Sequence, residues 1–122
     1  MTDERNICPA GWHIPSESEW EVLCSYVGND SLIGGKMKEI GTTHWLSPNI
    51  KATNEFGFTG LPAGYRDSNG VFGGLGMDAC WWTSTTADDK IAWSQDLNFL
   101  KSNIVIRGSG IKMGFSVRCI KD

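Results

Sequence analysis

Cysteine and histidine are the residues best suited to covalent or metal chemistry, and their spacing in this chain argues against both. Cys8, Cys24, Cys80, Cys119, His13 and His44 are scattered through 122 residues. There is no C-x-x-C pair, and neither histidine stands at ligand spacing from another, so a zinc site with its closely spaced nitrogen and sulfur ligands is not expected. A hydrolytic triad needs a nucleophile beside an oriented base. No such signature flanks His13, which sits at a helix entry, or His44, which sits in a loop beside Trp45. Calcium takes six to eight oxygen ligands. Asp67, Asn69 and Asp78 surround a glycine-rich stretch and offer some, but they read more simply as turn formers. Asp88-Asp89 reads as a solvated turn between strands. The expectation is therefore no catalytic residue, no metal and no cofactor.

The cysteines have a second use. Four of them allow three complete pairings, and spacing does not choose among these. A bond from Cys8 to Cys119 would close a loop of more than a hundred residues, an effect of about 4–5 kcal/mol in the chain-entropy picture. Cys24 falls on an apolar helical stripe and reads as a buried thiol behaving as a small hydrophobe. A Cys24–Cys80 partnership stays open.

Whatever the site, the chain must bury a core to position it. At 122 residues, 40% hydrophobic and 20% charged, it is expected to be one domain spanning 1–122. Eleven basic against fourteen acidic side chains give a net charge of -3, the opposite of a phosphate-binding footprint, so nucleic acid is not an expected partner. No apolar run approaches the length of a membrane span, and Met1–Asn6 carries no apolar leader core. Direct membrane insertion is not expected either. Fifteen Gly, six Trp and four Cys describe a loop-rich, cross-braced, exported domain. Without a leader, such a domain is expected to be part of a longer protein.

Ser16 and Glu19 form a capping box for a helix whose stripe is Trp20, Leu23, Cys24 and Val27, stopped by Gly28. Asp30 or Ser31 caps a shorter second helix through Leu32, Ile33, Met37 and Ile40, weakened by Gly34-Gly35. Thr42–Thr53 reads as an irregular loop carrying Trp45. Strands are expected at Phe58–Leu61, at Tyr65-Arg66 and Val71-Phe72 around an Asn69-Gly70 turn, and at Cys80–Thr86, Ile91–Phe99, Asn103–Arg107 and Phe115–Lys121. Two early helices followed by antiparallel strands make an α+β domain. Trp12, Trp20 and the Trp81-Trp82 pair read as framework, with one of the pair in the core because strand neighbours point to opposite faces. Trp45 and Trp93 are less settled, since an exposed Trp would stack a sugar or anchor a protein. Late in the chain Phe99-Leu100, Ile104, Ile106, Ile111 and Met113 exceed what one face of a short hairpin buries, which points to an interface.

Several segments together resemble one family. They are Cys8-Pro9-Ala10-Gly11-Trp12-His13-Ile14-Pro15-Ser16, Glu19-Trp20, Gly34-Gly35-Lys36-Met37-Lys38, Ala52-Thr53-Asn54, Gly57-Phe58, Leu61-Pro62-Ala63-Gly64-Tyr65-Arg66, Trp81-Trp82-Thr83-Ser84-Thr85 and Gly114-Phe115-Ser116-Val117-Arg118-Cys119. They look like the Fibrobacter succinogenes major paralogous domain, common in exported proteins of Bacteroidetes. The resemblance implies a C-type-lectin-like fold shared with formylglycine-generating, or sulfatase-modifying, enzymes. It implies termini held close together, and a Cys8–Cys119 disulfide, because both cysteines lie in the family's terminal motifs. It does not carry the oxidase activity, because Cys80 and Cys119 are far apart where those enzymes have two cysteines close together. Ser47-Pro48-Asn49 resembles the calcium-binding triplet of true C-type lectins but lacks its carboxylate.

The stretch from Trp81 through Ala92-Trp93, Leu97-Asn98 and Gly114–Cys119 also resembles the scaffold of variable proteins diversified by retroelements. The two resemblances imply a non-catalytic recognition domain of a surface, secreted or phage-borne protein, binding a protein or carbohydrate ligand through residues 95–113. Phe99, Ile106, Ile111 and Met113 would supply apolar area, and Gln95, Asn98, Lys101, Asn103 and Ser109 polar fit. The rival expectation is a structural or tip module of a bacterial surface protein.

Overall fold

Ser16 starts the first helix as the capping box requires. In a computed structural model of the chain, which describes residues 6–28 and 30–122, the Ser16 Oγ accepts from the Glu19 backbone N–H, and the Glu19 carboxylate accepts from the Ser16 N–H at 2.8 Å. Helix α1 runs Glu17–Val27 and ends at Gly28, whose φ of 134° suits a residue without a Cβ. Helix α2 is one short stretch, Ile33–Met37.

Gly34 and Gly35 look wrong for a helix and are required by packing. A Cβ on Gly34 would lie 2.2 Å from the Asn103 carbonyl oxygen, and one on Gly35 would lie 2.1 Å from that of Lys51. The close approach lets the Gly35 N–H donate to the Ser102 carbonyl, while the Gly35 carbonyl accepts from Thr53, both at 2.9 Å. Two loops are thereby tied to α2.

Strand β1 is Trp12–His13; β2, Tyr65–Arg66, and β3, Phe72–Gly73, form the hairpin expected around Asn69-Gly70. The main sheet is β4, Asp78–Thr86, β5, Ile91–Asn98, and β6, Val105–Gly110, antiparallel in that order. The last strand, β7, Ile120–Lys121, pairs antiparallel with β1. The molecule is thus α+β, with two small helices and antiparallel sheets. Cys8 and Cys119 are disulfide-bonded across a sequence separation of 111 residues, next to the β1–β7 pair, so both ends of the chain are clamped together. Among the described residues no helix is long and apolar enough to cross a membrane.

Two expected strands are not continuous. At Phe58–Leu61 only a single bridge forms, Gly60 with Lys38, because Gly57 (φ 70°) and Thr59 (φ 53°) take left-handed backbone that a ladder does not accept. Phe115–Lys121 is strand only at its end. Before that, Phe115 is held by Trp82, Arg118 lies 3.9 Å over the Phe58 ring, and Cys119 is bonded to Cys8. Three unrelated anchors prevent a straight ladder, although Ser116 still exchanges backbone hydrogen bonds with Cys80 and Trp82.

The core lies between the helices and one face of the main sheet. Trp20, Phe58 and Trp81 meet with ring centroids 5.6–5.9 Å apart, and Val27, Ile33, Met37, Trp45, Ala79 and Leu97 complete the cluster. Trp45 is only 1% exposed, and its Nε1–H donates to the Gly60 carbonyl at 3.0 Å. It is a core residue, not a surface anchor.

Candidate functional site

Pairing register divides the main sheet into two faces. Ala79 opposite Leu97, and Trp81 opposite Gln95 opposite Ile106, turn toward the helices. Cys80, Trp82, Ala92, Ser94, Asp96 and Ser109 turn the other way. On that second face lies an open cleft of about 900 Å³. Its floor is aromatic: the rings of Trp82 and Phe115 pack 4.5 Å apart at 36°. Ala92, Ile111 and Val117 add apolar wall, Thr83, Ser84 and Thr86 add hydroxyls, and Asp88 and Asp89 stand at the β4–β5 turn.

Local irregularity opens this cleft. Between the Trp82–Ser94 and Thr86–Ala92 pairs, three residues of β4 face only Trp93 of β5. Such a bulge twists a strand and re-aims side chains, and here Thr83 and Ser84, neighbours in sequence, both line the same cavity. The turn is firmly built. Asp88 Oδ1 accepts from the N–H groups of Lys90 and Ile91, each at 2.8 Å.

Next to the cleft the same face carries a buried polar cluster. Asp96 accepts from the Ser94 hydroxyl at 3.0 Å and pairs with the Arg107 Nε at 3.1 Å. Burial raises the Asp96 carboxyl above its usual range, opposed by Ser94 and Arg107. Burial, reinforced by the Asp96 and Asp78 carboxylates, pushes the Cys80 thiol up to about 12. Burial and then Glu21 raise Cys24. Cys24 and Cys80 are both free thiols, on opposite sides of the sheet, and both are protonated at neutral pH.

The residues expected to form one binding face are divided. Gln95 (1% exposed) points into the core side, and Phe99 packs against the core cluster. Ser109 is buried with its hydroxyl 3.4 Å from that of Ser94. The Asn98 side chain is spent locally, its amide donating to Asp78 and its Oδ1 accepting from Leu100. Lys101 and Asn103 are exposed in the β5–β6 loop, and Ile106 is exposed on the helix-side face. At the other end of the sheet Ile111 lines the cleft, with Met113 half-buried beside it. Of the Asp67–Asp78 oxygens, Asp67 Oδ1 accepts from Asn69 and Val71 as a turn former. Asn49 of the lectin-like triplet is buried, its amide donating to the carbonyls of Glu39 and Gly41.

The sequence pattern of the Fibrobacter succinogenes major domain matches residues 1–121. The chain belongs to that family. No curated protein and no solved structure matches it. In this Fibrobacter succinogenes major domain the recurring motif segments acquire physical roles. Lys38, at the end of Gly34-Gly35-Lys36-Met37-Lys38, is fully buried, and its ammonium donates to the carbonyls of Ile50, Asn98 and Lys101 at 2.8, 3.1 and 2.9 Å. It lies 5.5 Å from the Trp45 ring. Burial lowers its pKa to about 8, still above neutrality, so all three ammonium protons are used to hold the end of β5. Gly114–Arg118 supplies the Phe115 wall of the cleft. Sequence reading missed both roles, and with Lys36 and Lys38 both in the Gly34–Lys38 motif no local signal singles out Lys38 as the buried one.

Proposed function

We propose that this domain is a non-catalytic recognition module with a C-type-lectin-like fold, working outside the cytoplasm at a cell surface, in a secreted protein or on a phage particle. The open cleft over Trp82 and Phe115 carries the reading: a pocket with aromatic floor, apolar walls and a few polar groups is the usual form of a ligand site. Family membership supports the lectin-like fold, and the Cys8–Cys119 disulfide supports an oxidising location. Against catalysis stand the two raised thiols and the pairing of His13 with Asp122 and Glu19 and of His44 with Glu39. Among the described residues neither histidine has a hydroxyl or thiol nucleophile as its hydrogen-bond partner. Within the late segment the ligand meets Ile111 at the cleft; Lys101, Asn103 and Ile106 form a separate exposed group at the other end, available to a diversifying mechanism.

A display screen against protein and glycan libraries tests this reading, with each binder re-measured on Ile111→Asp and on Lys101→Ser/Ile106→Ser. Loss of binding by Ile111→Asp with unchanged melting temperature is the expected result. Binders that ignore Ile111→Asp and need Lys101 and Ile106 would move the site to the β5–β6 loop. A structural module is the second reading, favoured by Phe72 and Leu75, which are 81% and 78% exposed around the β3 hairpin and form the kind of apolar patch that packs against another domain.

A further inference from the structure

We infer that the outer edge of β6 pairs antiparallel with the β6 edge of a second copy of this chain, about a two-fold axis through Gly108, so that two three-stranded sheets become one. No residue of Val105–Gly110 lines the cleft, so this inference stands apart from the recognition reading.

Backbone parity fixes which groups face out. β6 lies at one end of the β4-β5-β6 sheet. Ile91 faces Gly110 across the ladder, and one step further the Ile111 N–H donates to the Lys90 carbonyl at 2.9 Å. Hydrogen-bonded pairs alternate along an antiparallel ladder. Val105, Arg107 and Ser109 therefore spend their backbone groups on β5, while Ile106, Gly108 and Gly110 turn theirs away from it. Among the described residues the one outward group with a partner is the Gly110 carbonyl, which accepts from Met113 at 2.9 Å and keeps a second lone pair. Ile106 is 46% exposed, and Arg107 and Gly108 are exposed beside it. The strand has no proline or lysine to protect its edge, and its single charge, Arg107, is paired with Asp96; such an edge is a template for another strand.

Self-complementarity selects a second copy. Ile106, Gly108 and Gly110 share the helix-side face of the sheet. Ile106 is a knob, and Gly110 is a hole, because a Cβ there would meet nothing within 4 Å. The two lie at equal distances on either side of Gly108. Turned over about that residue, each copy lays Ile106 opposite the other's Gly110, and glycine meets glycine at the axis. The Trp93 ring, 3.6 Å from where a Gly108 Cβ would stand, then flanks the axis on each side. This register makes about six backbone hydrogen bonds and places Arg107 opposite Ser109 on the other face. Moving the axis to Arg107 would set two guanidinium groups face to face, which cross-strand pairing disfavours. One strand that carries both the knob and the matching hole is what an isologous two-fold contact requires. A strand pair this short buries less than a standard interface, so the association is weak.

Sedimentation velocity and amide hydrogen exchange on the whole, oxidised chain test this. For half-association at about 100 µM, exchange at Ile106, Gly108 and Gly110 should slow about threefold between about 20 µM and about 500 µM, while Arg107 and Ser109, already bonded to β5, should not change. Gly110→Phe fills the hole with a ring that the single chain has room for, so it should abolish association and leave the melting temperature unchanged. Ile106→Lys should abolish it too. Ile106→Lys/Gly110→Asp should restore it at low salt, because each lysine then faces the other copy's aspartate. A chain that stays monomeric at the higher concentration overturns the inference. So does a dimer that survives Gly110→Phe, or one whose new protection falls on the exposed Phe72–Leu75 hairpin. Edge amides protected only when a foreign ligand is added to a monomeric chain would put a foreign strand in place of the second copy.

Discussion

Replacing Lys38 by Met removes a buried ammonium and leaves its stem. Three carbonyl oxygens, of Ile50, Asn98 and Lys101, then lose a donor. An orphaned buried acceptor costs about 1–3 kcal/mol, so the three together cost about 5 kcal/mol. Against this, methionine no longer holds a charge out of water. Lowering of the Lys38 pKa from 10.5 to about 8 puts that relief at about 3 kcal/mol, using 1.36 kcal/mol per unit. The Met side chain keeps most of the contact with Trp45. The net expectation is a loss of about 2 kcal/mol, or about 8 °C in melting temperature for a domain of this size.

Urea unfolding followed by tryptophan fluorescence at neutral pH measures it. A pH series isolates the charge. The folded pKa lies below the unfolded one, so between about 8 and 10.5 the unfolded chain holds a proton that the folded chain has released, and stability rises with pH. That rise is complete above 10.5 and is lost as pH falls through 8. The Met variant lacks this component, so its deficit against the parent should widen in alkali. A variant as stable as the parent at neutral pH, or a deficit independent of pH, would refute the reasoning.

Reducing the Cys8–Cys119 bond, or replacing both cysteines by serine, should cost about 4–5 kcal/mol for a loop of this length, read as a fall in melting temperature; an unchanged melt would show that the β1–β7 pair holds the ends unaided. Hydrogen bonds to Asp122 and then Glu19 raise the His13 pKa above 6.5, so its stabilising contribution is full below 6.5 and disappears as pH rises through the folded value. His13→Asn should therefore be least stable relative to the parent near pH 6 and match it near pH 9, in denaturant titrations at the two pH values. Gly34→Ala should cost about 3 kcal/mol or more, whereas Gly110→Ala, whose Cβ meets nothing within 4 Å, should stay within about 0.5 kcal/mol. Phe99→Ser should lower the melting temperature and Ile111→Ser should not, because one side chain packs on the core cluster and the other is 53% exposed.

What the sequence made legible follows the range of the interactions involved. Helix α1 was readable to the residue because its start, stripe and stop are local: Ser16 with Glu19, Trp20 to Val27 at helical spacing, Gly28 at the end. The hairpin at Asn69-Gly70 was readable for the same reason. Gly34-Gly35 misled because propensity counts a glycine as a weakness, while these two are fixed by the carbonyls of Asn103 and Lys51, partners 69 and 16 positions away. Lys38 is the same case. Nothing near it in sequence announces that its ammonium will meet carbonyls from Ile50, Asn98 and Lys101.

The residues of the expected binding face do not lie together, for a related physical reason. The resemblances offer residues 95–113 as one surface, but a strand sends neighbours to opposite faces. A β5–β6 hairpin also carries its loop and its far end to opposite ends of the sheet. Gln95 and Ser109 accordingly go inside from opposite faces, and Lys101 and Ile111 end up at opposite ends. The cleft depends on a register break in β4 and on Phe115 reaching Trp82, neither of which has a sequence signal. Trp82 marks the limit well. Alternation required that Trp81 and Trp82 part company, and Trp81 went to the core. Trp82 is just as buried, at 6% exposed, and only the packing of Phe115, thirty-three residues later, covers it at the edge of the candidate cleft.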